Sequence, residues 1–286
     1  MPPLYSTGLP NPGRLEEVKK EAQSVLTLDN FEGARFESNK PLTNTFALLH
    51  HVSLAAGTPG AYEFGAHVGD ESNVLSGRID MAGRLNGRFN AQLTDAILLR
   101  MQAQVSPESE RANNALNINV DYKGGDYSAG AYLAGGGLIG GSFFQSVTQN
   151  LALGAEWFVH TANRKARGGA AAARLTWGNK GEHVATGKVG TMYGGMCEAA
   201  YFRKVSEKVS LATELQYLHG QACIFGLGYE FRLRNAVFKG LVQSDTTCSA
   251  TLEERISPGI SLLLSGQLNH KKSDYKFGVG LTIGGA

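Results

Sequence analysis

Residues 275–283 read Tyr-Lys-Phe-Gly-Val-Gly-Leu-Thr-Ile, and the alternation within this stretch decides the fold class. The apolar side chains stand at every second position, and Lys, Gly, Gly and Thr stand between them. Successive side chains of a β-strand point to opposite faces, so the stretch predicts a strand with one wholly apolar face. Segments that begin near residues 97, 116, 151 and 260 alternate in the same way. The sequence therefore predicts an all-β chain.

The number of alternating segments separates two kinds of β architecture. From residue 31 to the end of the chain, roughly nineteen segments fit, at about 13 to 14 residues for a strand and its turn. Open sheets rarely exceed about ten strands, and so large a closed barrel cannot fill its interior with side chains. We therefore predict a closed transmembrane β-barrel over residues 31–284, with the apolar face toward lipid and a water-filled lumen. A soluble β-rich binding protein, with the apolar face inward, is an alternative.

The N-terminal part of the chain follows a different pattern. Residues 1–12 are rich in Pro and Gly, and we expect them to be flexible. Residues 13–28 carry apolar side chains at helical spacing, which predicts a helix with a narrow apolar stripe. The stripe consists of Leu15, Val18, Ala22 and Val25. This pattern is compatible with a helix packed against a core and with a helix lying inside a pore.

The composition excludes several classes of protein. The longest uncharged stretch, residues 127–155, is so dense in glycine that a membrane-spanning helix is disfavoured. The N-terminal residues show neither a signal peptide nor an Arg-rich transit peptide, so we expect any targeting signal to lie within the mature chain. The net charge is +2, and Lys and Arg are scattered, so we predict no nucleic-acid binding.

Motifs for covalent chemistry are also missing from the sequence. The three cysteines are widely spaced without a C-x-x-C pair, and the histidines lack metal-binding spacing. Gly135, Gly137 and Gly140 match the dinucleotide-binding fingerprint, but the residues that follow are strand-like where that motif needs a helix. We predict that the protein is not an enzyme and binds no cofactor.

Short motifs along almost the whole chain carry a family resemblance. They include residues 12–17 (PGRLEE), 121–127 (DYKGGDY), 252–255 (LEER) and 269–272 (NHKK). On these motifs the chain resembles the channel-forming subunits of the translocase of the outer mitochondrial membrane, in the mitochondrial porin superfamily. The run 204–211 (KVSEKVSL) is most similar to plant and algal members.

The resemblance implies a fold, a location and a set of partners. The implied fold is a nineteen-strand barrel closed by parallel pairing of its first and last strands, with the N-terminal helix in the lumen. The implied location is the outer mitochondrial membrane, where precursor proteins pass through the pore as extended chains. The implied partners are small single-helix subunits, a receptor subunit, outer-membrane lipids and a second barrel. The alternative is a metabolite pore of the voltage-dependent anion channel type, although the motifs at 12–17 and 269–272 favour the translocase.

Two sets of residues become functional candidates on this basis. Strand alternation turns a group of acids toward the lumen, and we predict that they contact basic presequences; they are Glu63, Asp80, Glu156 and Glu214. The last strand is similar to the signal by which mitochondrial barrels are sorted for insertion, polar-x-Gly-x-x-hydrophobic-x-hydrophobic, at Lys276, Gly278, Leu281 and Ile283. Acids and bases assigned to the inner face nearly balance, so their count does not predict ion selectivity.

Overall fold

The fold is known from a computed structural model of the chain, which describes residues 8–55, 57, 59–70, 72–107, 114–161, 167–178, 181–191, 195–220 and 222–285. These residues contain a 3-10 turn (Leu15–Glu17), a short helix α1 (Lys20–Leu26) and nineteen strands. The strands are β1 Gly33–Thr43, β2 Phe46–Leu54, β3 Ala61–Gly69, β4 Asn73–Asp80, β5 Leu85–Thr94, β6 Ile97–Val105, β7 Ala115–Lys123, β8 Tyr127–Ala134, β9 Leu138–Ser146, β10 Leu151–His160, β11 Arg167–Trp177, β12 His183–Gly190, β13 Met196–Lys204, β14 Val209–Leu218, β15 Ala222–Arg232, β16 Ala236–Gln243, β17 Thr247–Ser257, β18 Gly259–Asn269 and β19 Asp274–Gly285.

The strands form a single closed sheet. Each strand pairs antiparallel with its neighbour in sequence, except that β1 and β19 pair in parallel. Their register runs from Gly33 opposite Gly278 to Ser38 opposite Ile283. Consecutive antiparallel strands alternate in direction, so an odd number of them can close only through one parallel pair. The predicted nineteen-strand barrel is thereby confirmed, and among the described strands closure leaves no edge unpaired in lipid.

The strand faces follow the predicted alternation. The segments predicted from residues 97, 116, 151, 260 and 275 coincide with β6, β7, β10, β18 and β19. Their outward positions carry large apolar side chains that are exposed on the barrel, such as Leu116, Leu153, Trp157, Phe277 and Val279. Such side chains are stable outside because the surrounding medium is hydrocarbon, and the polar positions between them line water.

Two rims bound the barrel. The C-terminal rim carries the turns after odd-numbered strands and the end of β19, and the opposite rim carries the start of β1. Residues 10–14 contact the C-terminal rim, whereas β1 begins at the opposite one. The N-terminal segment (residues 10–32) therefore crosses the lumen from rim to rim.

The region predicted as one helix, residues 13–28, forms two short pieces. The 3-10 turn packs against β9 and β10, and α1 packs against β13 to β16. Between them, Lys19 has a φ of −100° and a ψ of 14°, outside helical values. An unbroken helix is straight over this length, whereas the inner wall is curved, so the break lets both pieces contact it. No helix in the described ranges is long and apolar enough to span a bilayer.

Small residues make room for the N-terminal segment. The inward positions beneath it are mainly alanine or glycine, including Ala152, Ala172, Ala200 and Ala212. At Gly154 an added Cβ would lie 2.8 Å from a methyl carbon of Leu15. These small inward residues leave a groove in the wall, and the segment fills it.

Candidate functional site: the lumen wall and the N-terminal segment

The N-terminal segment is fastened to the C-terminal rim by side chain to backbone hydrogen bonds. The Asn11 amide donates to the carbonyl oxygens of Gly124 and Tyr127, both at 2.8 Å. The hydroxyl of Ser146 donates to the carbonyl oxygen of Pro10 at 2.7 Å. These contacts fix the point at which the segment enters the lumen.

Apolar packing holds the segment against the wall. The four residues of the predicted stripe (Leu15, Val18, Ala22 and Val25) are each between 1% and 5% exposed. Leu15 and Val18 form a cluster with Phe144, which is fully buried. In the other half of the segment, Ala22, Val25 and Leu26 cluster with alanines of β13 and β14. The stripe thus faces the wall of the barrel.

Ion pairs flank this packing. The segment carries both acidic and basic side chains, and each pairs with a wall residue of opposite charge. The pairs are Arg14 with Asp121 (3.4 Å), Glu16 with Arg100 (2.8 Å), Lys19 with Glu198 and Glu214, and Glu21 with Arg174 (2.6 Å). Partly buried pairs with direct hydrogen bonds are stronger than exposed ones. The segment is therefore bound to the wall by charge as well as by apolar contact.

Lys19 makes the most enclosed of these charged contacts. Its Nζ donates to Glu198 at 2.8 Å and to Glu214 at 2.7 Å, and all three side chains are 15% to 17% exposed. The two carboxylates hold the ammonium group of Lys19 between β13 and β14 by charge-assisted hydrogen bonds.

Three of the four predicted presequence contacts have strong partners within the chain. Glu156 accepts from Lys188 at 2.7 Å, and Glu214 accepts from Lys19. Asp80 lies at the end of β4, where it accepts from the Arg84 side chain and backbone at 2.8 Å. The structure thus distributes these acids over separate walls, each against an intramolecular cation.

Glu63 stands in a different environment. It lies in a row of directly opposed inward residues on β1 to β4, in the order Glu37, His51, Glu63, Asp80. A ring nitrogen of His51 lies 3.7 Å from its carboxylate, no Lys or Arg in the described residues lies within 4 Å of it, and its side chain is 37% exposed. β3 lies eight strands from β14 in one direction and eleven in the other, so this row faces α1 across the lumen.

The candidate sorting signal lies in β19. Lys276 and Gly278 face the lumen, while Leu281 and Ile283 face outward with Val279. Gly278 also has a packing role, because an added Cβ would lie 2.5 Å from the carbonyl oxygen of Phe31 and 2.6 Å from its ring.

Lys19 was not predicted from the sequence as a wall contact. A signal existed: Lys19 follows Leu15 by four residues and precedes Ala22 by three, which places it on the flank of the stripe. The inward facing of Glu198 and Glu214 also follows from alternation. Their convergence on one ammonium group depends on which part of the wall the N-terminal segment packs against, and residue spacing in the sequence does not predict that part.

The fold and this wall define a class of protein, a membrane-embedded β-barrel pore with a polar lumen partly filled by its own N-terminal segment. In the described part of the chain, no three His, Cys, Asp or Glu side chains converge as a metal site would require.

Comparison with known proteins identifies the family. The eukaryotic porin family matches residues 11–278, and the chain belongs to that family. It is 33% identical to the probable mitochondrial import receptor subunit TOM40-2 of Arabidopsis thaliana, over 96% of this chain and 91% of the relative. It is 30% identical to TOM40 homolog 2 of Drosophila melanogaster, over 96% and 85%. Among solved structures, a Rhodopseudomonas blastica porin triple mutant superposes with a TM-score of 0.52 at 10% identity, over 84% of this chain and 96% of that chain, which supports the porin-like fold.

Proposed function

We infer that this protein is the protein-conducting channel of the outer mitochondrial membrane, through which presequence-bearing and other precursor proteins are imported. The observation that carries the inference is the similarity to TOM40 homologues of a plant and an insect across 96% of the chain. An anion channel would share the barrel, so the fold alone does not distinguish it. The full-length similarity to import receptor subunits favours the translocase.

The architecture suits transport without covalent chemistry. The lumen is closed to lipid by the sheet, and its wall offers hydrogen-bonding and charged groups at many points. Contacts of this kind are individually weak in water, so an extended chain can exchange one for the next as it advances. Release at the far rim then requires no step more costly than breaking a few exposed contacts.

We propose that carboxylates of the wall contact the basic residues of cargo: Glu63, Asp80, Glu156 and Glu214. Mitochondrial transit peptides are amphipathic, rich in Arg and poor in acids. Glu63 is the strongest candidate, because it is the most exposed of the four and has no Lys or Arg within 4 Å in the described residues. The other three contact cargo only by exchanging an internal cation for an external one.

We further propose that Lys276, Gly278, Leu281 and Ile283 act as the sorting signal of the last strand. The chain works as a subunit of the import translocase; the more specific partners proposed are small single-helix subunits, a receptor subunit and a second barrel. The broad apolar outer face supplies the surface on which single helices and lipids can pack.

Single-channel recording of the purified protein in a planar bilayer tests the function. A basic amphipathic peptide should produce transient blocks of a cation-preferring current, and a scrambled peptide of the same composition should produce fewer. An anion-preferring current that ignores both peptides would contradict the inference and favour a metabolite pore.

A further inference from the structure

We propose that the inner wall of β13 to β16 is a binding site for a basic amphipathic cargo segment, and that the chain's own α1 occupies it as a built-in substitute for cargo. The proposal rests on the proposed function and adds to it where cargo binds and what competes for that place. In this arrangement α1 must be displaced before cargo can bind to the wall.

The first half of the site is acidic. Glu198 on β13 and Glu214 on β14 are diagonal neighbours, because Glu198 opposes Gln216 and Glu214 opposes Ala200. Both carboxylates converge on the single ammonium group of Lys19. An Arg or Lys of another segment can satisfy the same pair with the same chemistry.

The second half of the site is an apolar groove one strand further on. Val25 and Leu26 lie over Gly228 of β15, where an added Cβ would be 2.8 Å from a methyl carbon of Leu26 and 3.4 Å from one of Val25. Ala200 and Ala212 complete the floor beneath them. The groove therefore accepts branched apolar side chains on one face of a helix, next to a site for a cation.

The wall also recognises a helix end without regard to its sequence. The Nζ of Lys239 on β16 donates to the carbonyl oxygen of Ser24 at 2.7 Å, in the last turn of α1. Every helix ends with carbonyl groups that lack an internal partner, so any short helix can fill this role. Arg174 contacts Glu21 instead, and acid-poor cargo offers it no partner, so the proposed site excludes β11.

These features together describe what a transit peptide presents: a short amphipathic helix with cations beside its apolar face. The segment now in the groove has the same three properties in Lys19, its apolar residues and its C-terminal carbonyls. When a site is occupied by an internal segment, the apparent affinity for an external ligand equals the intrinsic affinity multiplied by the fraction of molecules in which the site is free. Loosening α1 without altering the wall must then raise the apparent affinity for cargo.

The test compares Lys19→Gln with Lys20→Gln in the full-length protein in planar bilayers, with a basic amphipathic peptide as the blocking probe. Both variants remove one positive charge from adjacent positions of the N-terminal segment. Lys20 is 71% exposed, and its one ion pair with a described residue is with Glu17, at 3.9 Å, so Lys20 does not pair with the wall acids. We expect Lys19→Gln to lower the half-blocking peptide concentration roughly tenfold, from the loss of charge-assisted hydrogen bonds, and Lys20→Gln to leave it unchanged.

Two further variants separate the halves of the site. Val25→Ser loosens α1 through the groove and leaves both acids in place, so it should also lower the half-blocking concentration. The double variant Glu198→Gln/Glu214→Gln frees α1 but removes the acids. The peptide should therefore block this channel less readily than it blocks the Lys19→Gln channel. If the peptide blocks the wild-type channel, but Lys19→Gln and Val25→Ser do not lower the half-blocking concentration, the proposal is overturned and the import function stands. If no variant is blocked at any concentration, the import function itself fails, and this proposal with it.

Discussion

Neutralising Glu63 is the sharpest test of the lumen chemistry. Glu63→Gln keeps the size of the side chain and removes a carboxylate that has no Lys or Arg within 4 Å in the described residues. At this position the mutation exposes no internal Lys or Arg, because none pairs with Glu63 there. The effect on a basic peptide therefore reports the direct contact.

The magnitude follows from Coulomb's law. A unit charge 4 Å from Glu63, in a water-like medium, gains about 1 kcal/mol, which corresponds to about a fivefold change in affinity. At physiological salt the Debye length is about 8 Å, and screening reduces the change to about threefold. We therefore expect Glu63→Gln to raise the half-blocking concentration of a basic peptide about fivefold at low salt and about threefold at physiological salt.

The assay is peptide block of single channels at two salt concentrations, with two control variants. Glu254→Gln removes the same charge from the outer face of β17, where Glu254 opposes the outward-facing Leu262, and should leave block unchanged. Glu156→Gln/Lys188→Gln removes a 2.7 Å pair without a change of net charge, and its effect should be smaller than that of Glu63→Gln. Equal effects from Glu63→Gln and Glu254→Gln, or an effect independent of salt, would refute the reasoning.

Three other changes probe the packing. Gly278→Ala places a Cβ against the backbone of Phe31 and should destabilise the barrel by about 1–3 kcal/mol, measured by thermal unfolding in detergent, whereas Gly77→Ala enters open space and should not. Leu15→Ala opens a cavity worth about 2 kcal/mol or more beside Phe144, so trypsin cleavage after Arg14 in liposomes should rise at least several-fold; unchanged cleavage would count against the packed segment. The three cysteines face lipid; they are Cys197, Cys223 and Cys248. They should react with a membrane-soluble maleimide and not with a charged maleimide added to the lumen.

The barrel was predictable from the sequence because its physics is local. Each strand must present apolar side chains to lipid at every second position, so the pattern of residues 275–283 repeats in every well-formed segment. The number of strands followed from the repeat length. The strand number alone distinguished an apolar surface that faces lipid from one that faces a core. The parallel pairing of β1 with β19 came from the family resemblance, although an odd strand count also requires it.

The site was less predictable because it depends on contacts far apart in sequence. The facing of Glu214 follows from alternation, but its contact with Lys19 joins residues 195 positions apart. The break in the predicted helix at Lys19 likewise reflects the curved wall, which has no local signal in residues 13–28. Gly278 fits a targeting pattern in the sequence, and the structure adds a second reason for glycine there, the approach of Phe31.

The position of α1 explains why a count of lumenal charges says little about transport. The acids beneath the N-terminal segment already contact Arg14, Lys19 and Arg100, so their charge is largely balanced within the chain. The wall opposite α1 carries Glu63, which has no Lys or Arg within 4 Å in the described residues and stands between His51 and Asp80. While α1 is docked, Glu63 is therefore the most accessible of the four predicted cargo contacts for a translocating chain. Displacement of α1 would expose Glu198 and Glu214 and give the cargo two further carboxylates, so the number of contacts offered to a basic segment depends on where the chain's own helix lies.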